Sequence, residues 1–177
     1  MQKSAFIILA MALLATAPPA AADLRVSFQE SAPKDRFSIV NAGGCDLTDL
    51  TLTIDLTPSA GGLIFDTEPT GAGVEVYQPF EIVEGLEHVQ SIDTAADGGR
   101  TVTILFSRLA PNAATRFTVD VDDTLTNSAL GQIRVAGAEI EGALVSAMSA
   151  SLGDPLTAAF DTSATAELST DACQPVS

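Results

Sequence analysis

Tryptophan is absent from this 177-residue chain, tyrosine and histidine occur once each, at Tyr77 and His88, and aromatic residues make up only 5% of it. Clefts that hold sugars stack the rings on exposed aromatic side chains, so the shortage argues against a carbohydrate-binding module and against a glycosidase built on paired acids. With one histidine and no GxSxG elbow, a Ser-His-Asp site lacks motif support, and a secreted hydrolase using an acidic pair or His88 stands as an alternative reading only. Zinc and copper sites are equally starved of imidazole and thiolate ligands. Basic residues are scarce too: 8 Lys and Arg face 23 Asp and Glu, for a formal net charge of −15. That balance excludes nucleic acid as an expected partner and gives no attraction to anionic membranes or polyanionic glycans. Cations are the natural counterparts, although an acidic surface also keeps an exported protein soluble and suits high salt.

No apolar run beyond residue 22 is long enough to cross a bilayer, so no membrane insertion is expected. The run before it, Ala5 to Ala15, follows Lys3, is itself too short to span, and leads to Ala20-Ala21-Ala22. These are the charged, apolar and small-x-small parts of a secretory signal peptide, residues 1–22. The protein is expected to be exported, to a periplasm or to the extracellular space, with residues 23–177 forming one domain. Cys45 and Cys173 are the only cysteines. In an oxidising compartment, and without CxxC spacing, they read as one disulfide closing nearly the whole domain. In the chain-entropy treatment a loop of this length stabilises by roughly 4–5 kcal/mol. The Ala-, Ser- and Thr-rich tail from Ser146 would be tied back through Cys173.

Apolar and polar residues alternate with period two along much of the chain: Leu24 to Phe28, Leu50 to Leu56, Val102 to Phe106 and Phe117 to Val121, with shorter examples at 37–39 and 80–82. Each such run puts one face in a core and one in water. A further strand is expected from Ile133 and Val135, with a bulge or bend around Gly137 or Ala138, where the parity flips. Residues 144–152 read as helix, strand or loop. Gly-, Pro- and Asn-rich turns separate the runs, and Asp97-Gly98-Gly99 reads as a hairpin turn before the strand at 100–106. The fold class expected is all-β, an antiparallel sandwich or barrel.

The densest candidate site is Asp120-Val-Asp122-Asp123-Thr-Leu-Thr-Asn127. Strand parity puts Asp120 and Asp122 on one solvent face with Cα atoms roughly 7 Å apart. Asp123 starts the next loop, where carbonyls and Asn127 would complete an oxygen cage of the kind that suits Ca²⁺. It is not an EF-hand: counted from Asp120, the sixth position is Leu125 and the twelfth Gly131. The plain alternative is a solvated strand face and an Asp-rich turn. Asp46, Asp49, Asp55, Glu81, Glu84 and Glu87 read as ordinary surface.

The stretch RFSIVNAGGCDLTDLTLTIDL, Arg36–Leu56, resembles the opening of immunoglobulin-like adhesion and matrix domains. RFTVDVDD, Arg116–Asp123, followed by VAGAEIEGALV, Val135–Val145, is similar to the end of bacterial secreted proteins described as aggregation factor core. The resemblance implies an immunoglobulin-like β-sandwich engaged in Ca²⁺-assisted adhesion, aggregation or matrix contact with a protein or cell-surface partner. It carries no catalytic residue. A structural or accessory envelope protein without a small ligand is the third reading.

Overall fold

Period-two alternation becomes strand wherever the sequence displays it at length. The computed structural model describes residues 24–74, 77–128, 130–131, 134–150 and 152–170. The signal-peptide segment 1–22, Ile133 and Cys173 therefore lie outside the described residues. Strands β1 (Leu24–Gln29), β2 (Asp35–Asn41) and β3 (Leu47–Asp55) come first, then the short β4 (Ile64–Asp66), β5 (Glu81–Glu84) and β6 (Val89–Asp93). Two nine-residue strands follow, β7 (Thr101–Leu109) and β8 (Ala114–Asp122), and then β9 (Leu144–Met148), β10 (Leu156–Ala159) and β11 (Thr165–Leu168).

One sheet runs β11, β1, β2, β8, β4, with β5 also paired to β8; the other runs β10, β9, β3, β7, β6. Every pairing is antiparallel. The molecule is thus the all-β antiparallel sandwich expected. Its inner faces are the apolar parities already named, from Leu24, Val26 and Phe28 to Phe117, Val119 and Val121, all buried. Phe28, Phe37 and Phe117 sit in one cross-strand row, with Phe37 stacked on Phe117 at 4.9 Å between ring centroids and 5.0 Å from Phe28. Phe65 and Phe160 complete the group around Phe37. The buried amide of Asn41 donates to the carbonyls of Cys45 and Leu109, fastening the β2–β3 turn to the end of β7.

β6 and β7 form the hairpin expected around Asp97, and that turn does more than reverse the chain. Gly98 N–H donates to the Phe65 carbonyl and Phe65 N–H to the Gly99 carbonyl, both at 2.9 Å, so three-residue β4 is gripped by β8 on one side and the turn on the other. Asp97 is thereby placed beside Asp66.

One expectation needs correction. Val135 is buried but begins no strand; a 3-10 turn, Gly137–Ile140, follows it and buries Ile140, so the parity change there is a helical bend of the chain and not a bulged strand. The tail from Ser146 is itself largely strand. It supplies the end of β9, then β10 and β11, and Phe160, Ala164, Ala166 and Leu168 are buried. Residues 144–148 are strand, which settles the ambiguous segment.

Because Phe37 touches four other rings, Phe37→Ala should cost about 3–5 kcal/mol in urea unfolding, whereas truncation of exposed Met148 should leave the midpoint within the scatter of surface substitutions.

Candidate functional site

Beyond its pairing with β2, β8 continues through Asp120 to Asp122 and pairs there with β4, setting Asp66 opposite Asp120 and Ile64 opposite Asp122. Strand alternation sends Val119 and Val121 into the core and Asp120 and Asp122 to the outer face, as the parity predicts. That face is not solvated, however. Asp66 and Asp122 are 0% exposed, and Asp123, Asp35 and Asp120 are 2%, 5% and 6% exposed. Sequence parity identifies the face but not what covers it, and here the cover is the segment that joins β4 to β5.

That segment is held by the acids beneath it. Asp97 accepts the backbone N–H groups of Thr67, Glu68 and Ala72 at 3.1, 3.3 and 2.8 Å. Asp122 Oδ2 accepts Val74 N–H at 2.8 Å, and Gln78 O accepts Asp120 N–H. Gly73 lies with φ +86° directly over the pair, where an added Cβ would be 2.4 Å from Asp122 Oδ2 and 2.8 Å from Asp66 Oδ2. Only glycine allows that approach.

The five buried acids are answered unequally. Asp35 accepts Ser31 N–H and Val121 N–H, both at 3.1 Å. Asp123 Oδ1 accepts Leu125 N–H while its Oδ2 has no donor, and Asp122 Oδ1 has none. Asp66 has at most a share of the Glu68 N–H, which Asp97 accepts at 3.3 Å. Asp66 does lie close enough to Asp97 and Asp122 to share a proton with either. The ion pairs among the described residues, such as Arg25–Glu167 and Arg134–Glu30, use none of these five aspartates.

Burial above all, joined by repulsion between neighbouring carboxylates, raises the pKa values of Asp35, Asp66, Asp120 and Asp122. Asp120 is pushed up to about 7 by burial and by the charges of Asp122, Asp35 and Asp66. Asp66 rises to about 6 through burial and the charges of Asp122 and Asp97. Burial carries Asp35 to about 7 against the pull of its two N–H donors, and it raises Asp122 as well. Asp97 moves the other way, held below the usual carboxylate range chiefly by the Ala72 and Thr67 N–H groups. Beside the cluster, a cavity of about 180 Å³ opens between the Ser31–Pro33 turn, Asp35, Asp120 and Arg134.

The sequence-derived trio is only partly gathered. Asp120 is directed to Asp35 and the cavity, Asp122 to Asp66, and Asp123 to its own turn, while Asn127 is exposed. Among the described residues no three acidic, His or Cys side chains converge at metal-binding spacing. Asp66 and Asp97 were not read from the sequence; the one signal was an acid next to each of two turn-rich stretches. His88 sits apart in the 3-10 turn Leu86–His88, 3.7 Å from Glu87. The acids read as surface are surface: Asp46 pairs with Arg108, Glu81 with Lys34 and Glu84 with Arg116.

No family model and no curated protein matches the chain. Among solved structures it is similar to the CBM3a-L domain with flanking linkers from scaffoldin cipA of the cellulosome of Clostridium thermocellum, at 16% identity and a TM-score of 0.30, over 73% of this chain and 86% of that one. A likeness at that level carries no argument about a ligand. No helix among the described residues is long and apolar enough to cross a membrane.

The raised pKa values make stability depend on pH with a definite sign. Between the ordinary aspartate value of 3.8 and about 7 the native state holds more protons than the unfolded chain, so stability falls as pH rises through that window. Asp97 acts in the opposite sense, below 3.8. In chelator, the unfolding midpoint should drop from about pH 5 to about pH 7.5, by a few kcal/mol of stability in all, and Asp120→Asn should flatten the profile.

Proposed function

We propose that this is an exported, non-catalytic binding module of the adhesion or matrix type, whose contact with a protein or cell-surface partner is assisted by Ca²⁺ at the carboxylate end of the sandwich. The observation that supports it is the presence of five buried aspartates with no Lys or Arg paired to any of them among the described residues. An ionised carboxylate out of water requires donors, a proton or a cation, and an extracellular setting supplies about millimolar Ca²⁺ to weak all-oxygen sites. Asp120, Asp122 and Asp123 are ligand candidates in this reading, and the likeness to aggregation-factor proteins agrees with it. The signal peptide at 1–22 and the Cys45–Cys173 disulfide belong to the same proposal. Intact mass before and after reduction and alkylation tests both: cleavage after Ala22 and one reducible bond are expected.

The acid-pair hydrolase would have to draw on Glu30, Asp35 and Asp120, the acids that meet the cavity, and Glu30 is paired with Arg134. Asp35 has both oxygens occupied by backbone N–H groups, and Asp66 and Asp122 are sealed from any substrate. A binding role fits these facts better.

The test is clustering of microspheres coated with the exported protein, followed by light scattering in about 0.15 M NaCl to screen general repulsion. Clustering with about 1 mM Ca²⁺, reversed by EDTA and not reproduced by equal Mg²⁺, is the expected result. Spheres that stay dispersed, alone and when mixed with cells of the producing organism, would remove the adhesion reading.

A further inference from the structure

Asp66 is the least compensated acid among the described residues: 0% exposed, without a cationic partner, and facing Asp97 and Asp122 with no donor but the Glu68 N–H, which Asp97 already accepts. Asp122, equally buried, has one oxygen on Val74 N–H and one without a donor. Both carboxylates face the backbone at Gly73, where a Cβ would lie 2.4 and 2.8 Å from an oxygen of each. That places the two oxygens near enough for one Ca²⁺, with bonds of about 2.3–2.6 Å, to touch both.

We propose that Asp66 and Asp122 are the paired ligands of a Ca²⁺ site roofed by the loop from Thr67 to Val74, and that the bound ion fixes this loop as the contact surface of the module. The proposal rests on the cation-assisted binding reading and deepens it, moving the centre from the consecutive acids Asp120–Asp123 to a pair drawn from adjacent strands. Hard carboxylate oxygens select Ca²⁺ or Mg²⁺ over softer metals, and a site roofed by an irregular loop suits the flexible shell of Ca²⁺. Two carboxylates supply only part of that shell; loop carbonyls and water are left to complete it. Asp97 is committed to three loop N–H groups and acts as a positioning residue, anchoring the roof from the far side. The loop is thus fastened at both ends by acids, and a cation between Asp66 and Asp122 removes the repulsion that otherwise pushes its second fastening apart.

The experiment is calorimetric titration of the exported protein with CaCl₂, alongside hydrogen exchange of the 67–74 amides with and without Ca²⁺. One Ca²⁺ per chain is expected, with slower exchange in the loop when it binds. Asp66→Asn and Asp122→Asn should each weaken binding by at least about tenfold and abolish the slowing, while Glu87→Gln, exposed in the separate 3-10 turn, changes neither. Asp66→Asn also relieves repulsion, so its unfolding midpoint in EDTA should be at or above that of the parent, which separates loss of a ligand from loss of the fold. Binding that survives both substitutions but is lost with Asp120→Asn or Asp123→Asn overturns this assignment and leaves cation-assisted binding standing. Absence of any Ca²⁺ binding by the parent overturns both, and a proton shared between Asp66 and Asp122 then accounts for the pair. Intact Ca²⁺ binding without microsphere clustering supports the site and counts against the adhesion role alone.

Discussion

Negative charge withdrawn from water with no positive side chain to meet it is the constraint around which one end of this sandwich is arranged. An ionised carboxylate loses several kcal/mol of hydration on burial, roughly, and recovers it only from donors, a proton or a metal. Backbone amides answer part of the demand. The turn before β2 turns its Ser31 N–H to Asp35, the loop after β4 turns three N–H groups to Asp97, and the exit from β8 curls back so that Leu125 serves Asp123. The irregular segments at this end take their shapes from those bonds. Asp66, with one oxygen each of Asp122 and Asp123, is what remains once the amides have been allotted.

The sandwich beneath is built from ordinary apolar burial, and that part is legible from alternation. β1, β3, β7 and β8 each carry three large apolar residues at one parity and β2 carries two, Phe37 and Ile39, enough to fix both their type and their inward face. β4, β6, β10 and β11 are three to five residues long, too short for a period to register, and exist because a longer neighbour offers them a ladder. The 3-10 turn after Val135 was misread as a bulged or bent strand for a related reason: a parity flip is compatible with either.

The candidate site was half legible for the same physical reason. Spacing along one strand is local, so Asp120 and Asp122 could be put on one face from sequence. Their partners are not local. Asp66 arrives by the register of β4 on β8, and Asp97 by a hairpin that hydrogen-bonds across β4 at Phe65. Burial escaped detection as well, because polar alternation describes the face and says nothing of a Gly-rich segment folding over it. Composition bears on the site through supply: 8 Lys and Arg against 23 Asp and Glu leave few basic side chains to meet a buried acid.

The pairing of β1 with β11 joins residues 24–27 to residues 165–168 across the length of the domain. A sheet whose first strand waits for its last cannot be assembled progressively as the chain emerges; its closing hydrogen bonds carry the full entropic cost of the largest loop in the fold. The domain therefore reaches its closed form only when residues 165–168 are free to pair, however early the strands between them have met.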